Sequence, residues 1–212
     1  MTGPLARDET SSALLALGAA TLGESGARPM RNRVRAVWPG ATLAAPAYPV
    51  RCSPGDNLAI HVAVTRAPAG SALVVDVGDE RERGYWGEVL TTGSQARGVA
   101  GLVIDGCVRD VAALAGHGFP VFSTGLALPG ATKLRPGSVD RSVVVGGVEV
   151  DPGDWVVGDA DGVVVVPAGA LAEVLAAGRA RAAAEAGYFE ALRGGATTVG
   201  LFGLDPGLIE GA

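Results

Sequence analysis

Arg109 and Asp110 stand side by side just beyond the apolar run Leu102-Val103-Ile104, in a chain where only 18% of residues are charged. An Arg presents a planar fork that pairs with a carboxylate, and an adjacent carboxylate offers an oxygen ligand to a hard cation such as Mg2+. Together the two could hold a small keto acid and its metal. A second cluster, Gly87, Glu88, Val89 and Leu90, supplies what such a site needs around an anion. Gly87 permits close approach of the backbone, the N–H groups of Glu88 to Leu90 open a helix where anions bind, and Glu88 brings another acid. Plain structural readings compete with both. A helix N-terminus carries partial positive charge and is commonly acidic, so spacing alone leans towards Asp110 as a first-turn acid and leaves Glu88 equally suited to capping. Asp105-Gly106 reads as the turn that ends a buried strand.

The surrounding elements decide where these residues sit. "ALVVDVGD" and "GLVIDG" are short apolar runs, each ending in Asp and Gly, and "FPVFST" supplies a third strand. Between them lie the helix-like segments "YWGEVLTTGSQARG" and "CVRDVAALAGHG". That alternation predicts parallel βαβ units with both sheet faces covered and a site at the carboxyl ends of the strands. Upstream, Thr10 or Ser11 is expected to cap a first helix, and Trp38 to Asp56, with four prolines, suits extended segments and turns. Asp56 is expected to cap the helix "NLAIHVAVTRA". After Pro136, Val-rich strands separated by Gly146-Gly147, "DPGD" and Asp161-Gly162 predict antiparallel β structure. Ala168 to Gly195 predicts a long Ala-rich helix ending at a Gly pair. The expectation is one α/β domain over residues 1–212, with a mixed, partly parallel sheet and an antiparallel Val-rich C-terminal half. An N-terminal helix region occupies 1–30 and a C-terminal helix 168–195.

Composition argues against several classes of function. The net charge of -5 disfavours a broad nucleic-acid surface, and the basic run "RPMRNRVR", Arg28 to Arg35, reads as a solvated connection. No run of 18 apolar residues occurs, so no membrane span is expected, and the first residues lack the pattern of a signal peptide. Cys52 and Cys107 have no paired spacing, which points away from a zinc site or disulfide framework and towards a reducing cytoplasm. His61 reads as a satisfied packing residue and His117 as a solvent-facing loop residue. Lys133 and Arg135 lie in a Gly/Pro-rich loop that either approaches the substrate or is solvated.

Taken in order, "WGEVL", "ARGVAGLVIDGCVRDV", "GFPVFSTG" and "GDWVVGDADGVVVVP" resemble the successive signatures of the RraA-like family. The similarity runs from about Trp38 to the terminal "GLFGLD". That family includes divalent-metal-dependent 4-hydroxy-4-methyl-2-oxoglutarate aldolases with oxaloacetate decarboxylase activity. The resemblance implies a swivelling β/β/α fold, a lyase acting on a pyruvyl-containing keto acid, and Mg2+ or Mn2+ as cofactor. It further implies a homotrimer or hexamer with the C-terminal helix at a subunit interface. By the same resemblance Arg109 binds the pyruvyl moiety, Asp110 ligates the metal, and the backbone from Gly87 through Glu88, Val89 and Leu90 holds the substrate's carboxylate and keto oxygens. Glu88 then contacts metal-bound water, and Glu185 corresponds to an acid supplied from a neighbouring subunit. The chain departs from the family pattern at Ala113, where the aldolases carry Asp or Glu. That departure bears on aldol cleavage more than on metal binding. A regulatory branch of the family binds and inhibits an RNA-degrading endonuclease, and this non-catalytic role is the alternative. The Asp at position 110 favours the enzyme.

Overall fold

In the computed structural model, which describes residues 7–210, the runs read as buried strands form the centre of a nine-stranded mixed sheet. Strands β1 (Leu43–Arg51), β2 (Ala72–Asp76), β3 (Gly101–Ile104) and β4 (Val121–Ser123) lie parallel and adjacent in that order. Helices α2 (Leu58–Arg66), α3 (Glu88–Gln95) and α4 (Val111–Gly116) connect them. A hairpin of β5 (Val143–Val145) and β6 (Val148–Val150) turns at Gly146-Gly147, both at positive φ, and forms a small sheet of its own. The main sheet continues past β1 as the antiparallel strands β7 (Trp155–Gly158) and β8 (Val163–Val166). Helices α1 (Arg7–Gly23) and α5 (Leu171–Arg193) pack on each other.

Strands buried on both faces must be apolar throughout, and alternate residues show which layer each face meets. Leu73, Val75, Leu102 and Ile104 join the core that contains Ile60 of α2, Leu90 of α3 and Leu114 of α4. Their neighbours Ala72, Val74 and Val103 face the other way, into a cluster with Val143, Val145 and Val150 of the hairpin. At the antiparallel end, Trp155, Val157, Val164 and Val166 meet Leu14 and Leu22 of α1 and Val174 of α5, while Val156 and Val165 join the hairpin side. The result is a hairpin layer, a sheet layer and a helix layer. No helix among the described residues is long and apolar enough to cross a membrane.

Several local expectations are corrected by tertiary contacts. The first helix is already formed at Arg7, so neither Thr10 nor Ser11 caps it; Thr10 is buried and the Ser11 hydroxyl donates to the Ala44 carbonyl at 2.7 Å. Gly18 breaks α1 with φ 76, and the Asp159 carboxylate accepts the Ala19 N–H at 2.7 Å from across the fold. The segment "CVRDVAALAGHG" is helical only from Val111, because Cys107–Val108 pair as a short strand with Gly125–Leu126. The C-terminal helix begins at Leu171, after a 3-10 turn over Ala168–Ala170.

The basic run Arg28 to Arg35 is not a solvated connection. Arg28 pairs with Asp154 at 3.1 Å, and Arg33 donates twice to the Asp105 carboxylate at 2.9 and 2.6 Å. Asp105 is therefore more than a turn residue. It is buried and also accepts from Arg81 and from the Gly146 N–H, each at 3.2 Å. Burial pushes this carboxyl up, but the hydrogen bonds from Arg33 and Gly146 and the charges of Arg33 and Arg81 outweigh it and hold the group below its ordinary value. One carboxylate thus ties the N-terminal segment, the hairpin and the loop after β2 to the end of β3.

Candidate active site

A pocket of about 250 Å3 opens beyond the carboxyl ends of β2 and β3. Arg109 and Asp110 line it together with Gly87, Val89 and Leu90, α2 contributes His61 with Asn57 just before the helix, and the loop after Gly125–Leu126 contributes Gly130, Ala131 and Lys133. The structure therefore gathers Arg109, Asp110 and most of the Gly87–Leu90 segment into one cavity.

Asp110 holds its place by an unusual backbone. It has φ 63 and ψ 38, and among the described residues only Asp140 is another non-glycine at positive φ. Such a conformation costs a non-glycine residue roughly 1–2 kcal/mol, although the short side chain of Asp tolerates it. Asp110 occupies the cap position of α4, yet its side chain makes no capping bond there. Its Oδ2 instead accepts the Glu88 N–H at 3.0 Å, at the start of α3. The carboxylate is thus held by a neighbouring helix terminus, and the plain reading of a first-turn acid fails for its own helix.

Glycines make room for this arrangement. A Cβ on Gly87 would lie 2.3 Å from Asp110 Oδ2, and one on Gly84 would lie 3.0 Å from Arg109 Cδ and 2.7 Å from the Ala127 carbonyl oxygen. The Arg109 N–H donates to the Trp86 carbonyl at 2.9 Å, which fixes its backbone against the same loop. Arg109 Nε lies 3.8 Å from Asp110 Oδ2, and both side chains are about half exposed. An exposed pair at that distance contributes little to stability, so the fork of Arg109 is available to another carboxylate.

Glu88 is placed differently from Asp110. Its N–H serves Asp110, its carboxylate lies 3.4 Å from His117 Nε2, and it does not line the pocket. His117, at the end of α4, accordingly has a partner and is not simply solvent-facing. Ala113, within α4, does not line the pocket either. Glu185 pairs with Arg181 at 2.9 Å on α5 and is not brought to Arg109 within one chain.

Two pocket residues carry signals that residue types alone did not expose. The Asn57 side chain donates to the Tyr85 carbonyl at 2.8 Å but leaves its buried Oδ1 unpartnered, and His61 leaves its buried Nε2 unpartnered. Burial, and next the charge of Lys133, push the His61 pKa down, against the opposing pull of Asp56. His61 is therefore not a satisfied packing residue. Unpaired buried groups cost about 1–3 kcal/mol each, which marks this wall as built for something polar. The four-residue spacing of Asn57 and His61, which puts both on one helical face, was the available clue. Lys133 is the only lysine in the chain.

Asp56 does not cap α2 in the expected way, since Asn57 occupies the cap position. Its Oδ1 accepts the Leu58 N–H at 2.9 Å, and its Oδ2 accepts from the Thr132 hydroxyl, the Leu134 N–H and the Arg135 N–H at 2.7, 2.6 and 3.1 Å. Burial pushes this carboxyl up, but the N–H groups of Leu134 and Leu58, the Thr132 hydroxyl and the Arg135 N–H push further the other way and hold it at about 2. A folded value below the unfolded value of about 3.9 contributes stability that is fully present above the latter and lost as pH falls towards the former. Asp56→Asn is accordingly expected to destabilise the fold by about 2 kcal/mol near neutrality, and the gap to the wild type should narrow between about pH 4 and pH 2. Urea unfolding across that range measures it; a gap that stays constant with pH would refute the assignment.

Among the described residues no three His, Cys, Asp or Glu side chains converge as a metal cage. Asp110 is the carboxylate that lines the pocket. One carboxylate, with water and substrate oxygens completing the shell, is a usual way of holding Mg2+, so the residues fit a hard divalent ion and not a closed structural site.

Residues 16–165 match the family described as RraA-like, Aldolase/RraA. The chain belongs to the RraA-like family. A relative from Halalkalibacterium halodurans, provisionally named a 4-hydroxy-4-methyl-2-oxoglutarate aldolase, is 37% identical over 130 residues, 61% of this chain and 62% of that protein. The match thus spans less than two thirds of that relative's length. Among solved structures, an uncharacterised Pseudomonas syringae protein superposes with TM-score 0.79 at 28% identity, covering 92% of this chain and 97% of its own. RraAS2 of Streptomyces coelicolor, described as an unusual member of the RNase ES inhibitor RraA protein family, gives TM-score 0.73 at 28% identity over 91% of this chain and all of its own. The α/β architecture of this RraA-like chain is therefore that of its family, as the motif series implies.

Proposed function

We propose that the protein is a divalent-metal-dependent lyase that releases pyruvate from a 2-keto dicarboxylic acid. The reaction is decarboxylation of oxaloacetate, retro-aldol cleavage of a substrate like 4-hydroxy-4-methyl-2-oxoglutarate, or both. The observation that carries this reading is the joint placement of Arg109 and Asp110 in one pocket, with Asp110 held by a strained backbone and by the N-terminus of α3. Arg109 pairs with the pyruvyl carboxylate and stabilises the negative charge that develops as the enolate forms. Asp110 would hold Mg2+ or Mn2+. That ion, when bound, supplies electrophilic stabilisation at the keto oxygen. Lys133 presents a cation to the substrate's far carboxylate and His61 Nε2 donates to it in the Nε2–H tautomer, while the unpartnered Asn57 Oδ1, an acceptor, suits a hydroxyl or water beside it. Aldol cleavage also requires a base for the hydroxyl proton, whereas decarboxylation does not. With Ala113 outside the pocket of its own chain, both reactions stay within the proposal.

The expected homotrimer or hexamer is supported by α5, which is exposed almost throughout beyond Gly178 and presents Phe189 there, with Phe202 and Leu204 beyond its end. Exposed apolar residues on a projecting helix suit burial against a second copy, which would also be the route by which Glu185 reaches a site.

The test is pyruvate release from oxaloacetate and from 4-hydroxy-4-methyl-2-oxoglutarate, with Mg2+ or Mn2+ and with EDTA. Metal-stimulated release that EDTA returns to the uncatalysed rate is expected from at least one substrate. No metal-stimulated pyruvate from either would sink the lyase. It would favour a regulatory protein that binds an RNA-processing enzyme, a reading supported by the similarity to RraAS2.

A further inference from the structure

We propose that Asp56 is a positioning residue for the pocket, fixing the loop that carries Lys133 so that a keto acid's far carboxylate is read by a preplaced cation. This rests on the reading of the pocket as a keto-acid site. Three of the four hydrogen bonds that Asp56 accepts go to the loop and one to α2. The three loop donors converge on a single oxygen, Oδ2, and come from Thr132, Leu134 and Arg135. Lys133 is therefore held on both sides by one atom. The backbone reinforces the grip: the Thr132 N–H donates to the Gly55 carbonyl at 2.8 Å, and the Asn57 N–H donates to the Thr132 carbonyl at 2.9 Å. The neighbours of Asp56 and of Thr132, namely Asn57 and Lys133, are the ones that line the pocket.

This anchoring matters because, among the described residues, the lysine side chain itself is held only weakly. Its ammonium makes one contact among the described residues, to the Ala131 carbonyl at 3.5 Å, and its side chain is exposed. A Lys is a point charge on a flexible four-carbon stem, so its usefulness depends on where its Cα is held. Preplacing that Cα removes part of the ordering cost when an anion binds. The buried Asp56 carboxylate does not itself line the pocket, so its influence on substrate must pass through the loop that carries Lys133.

The test compares two probes by calorimetric titration in Mg2+. Pyruvate fills the Arg109 end, and 2-oxoglutarate also reaches the far wall. Wild type should bind 2-oxoglutarate more tightly than pyruvate. Asp56→Asn keeps the size but removes one carboxylate oxygen, and should cut that preference by about tenfold while pyruvate binding is unchanged. Lys133→Met should cut it to the same level, and Asp56→Asn should add nothing further in the Lys133→Met background. A purely structural role would instead weaken both probes, or act equally with and without Lys133, and either result overturns the proposal. If Asp56→Asn does not fold, Thr132→Val carries the same comparison, with Thr132→Ser restoring the preference. Failure of the lyase reading shows as absent pyruvate release and leaves these binding measurements interpretable. Wild type that binds 2-oxoglutarate no more tightly than pyruvate overturns the present proposal by itself, and binding of neither probe overturns both.

Discussion

Under the proposed lyase activity, Arg109→Ala is expected to lower kcat/KM for metal-stimulated pyruvate release by about a hundredfold or more, because a group aimed at a developing oxyanion is typically worth about 2.7–4 kcal/mol. The loss is expected in kcat as well as KM, since the guanidinium meets more negative charge as the enolate forms than it does in the ground state. Stability should hardly change. The side chain is about half exposed, its ion pair with Asp110 spans 3.8 Å, and the bond that fixes this stretch of chain comes from the backbone N–H to Trp86. Arg109→Lys retains the charge but not the planar fork, and should fall between the two. Steady-state kinetics with thermal melts of the same preparations decide the matter. An Arg109→Ala enzyme with unaltered turnover of oxaloacetate would remove Arg109 from the site.

Gly87→Ala should inactivate the enzyme about as fully as Asp110→Ala, although it removes no charged group. A Cβ at position 87 would lie 2.3 Å from Asp110 Oδ2 and 3.2 Å from Arg109 Cγ, so the carboxylate must leave its place against the Glu88 N–H. The backbone itself would accept alanine, since Gly87 is extended at φ -168 and pays no left-handed penalty. The defect is therefore expected in the response to Mg2+ and not in the fold. Titrating activity against Mg2+ should show stimulation lost in both Gly87→Ala and Asp110→Ala, with melting temperatures near that of the wild type. Wild-type Mg2+ stimulation in Gly87→Ala would show that Asp110 does not work from the position seen here.

The site was legible in part because its chemistry is concentrated in adjacent residues. Arg109-Asp110 and Gly87-Glu88 are visible as pairs, and the apolar runs before them announce strands whose carboxyl ends carry function. Asn57 and His61 were not legible in the same way, and for Lys133 the sequence left approach to the substrate and solvation both open. Asn57 and Lys133 come from a helix start and a loop more than 70 residues apart in sequence, and they join because Asp56 and the backbone bonds of Gly55 and Asn57 to Thr132 tie that loop to α2. His61 in an apolar helix looks like packing until its unpaired Nε2 is seen in the cavity wall. Asp105 and the Arg28 to Arg35 run likewise look like a turn and a solvated segment until Arg33 is found on the Asp105 carboxylate.

By itself the sequence determined the order of the elements, since continuous apolar runs, Gly-Gly and Asp-Gly turns and an Ala-rich helix are local properties of the chain. It also determined the candidate pair Arg109-Asp110 and, through the ordered motifs, the family. Only the tertiary structure decided which way Asp110 points, because its partner is the N–H of a residue 22 positions earlier and its φ of 63 is not one that helix propensity dictates. It also decided which polar groups share the pocket with that pair, because hydrogen bonds between distant loops are set by packing, which no local pattern encodes.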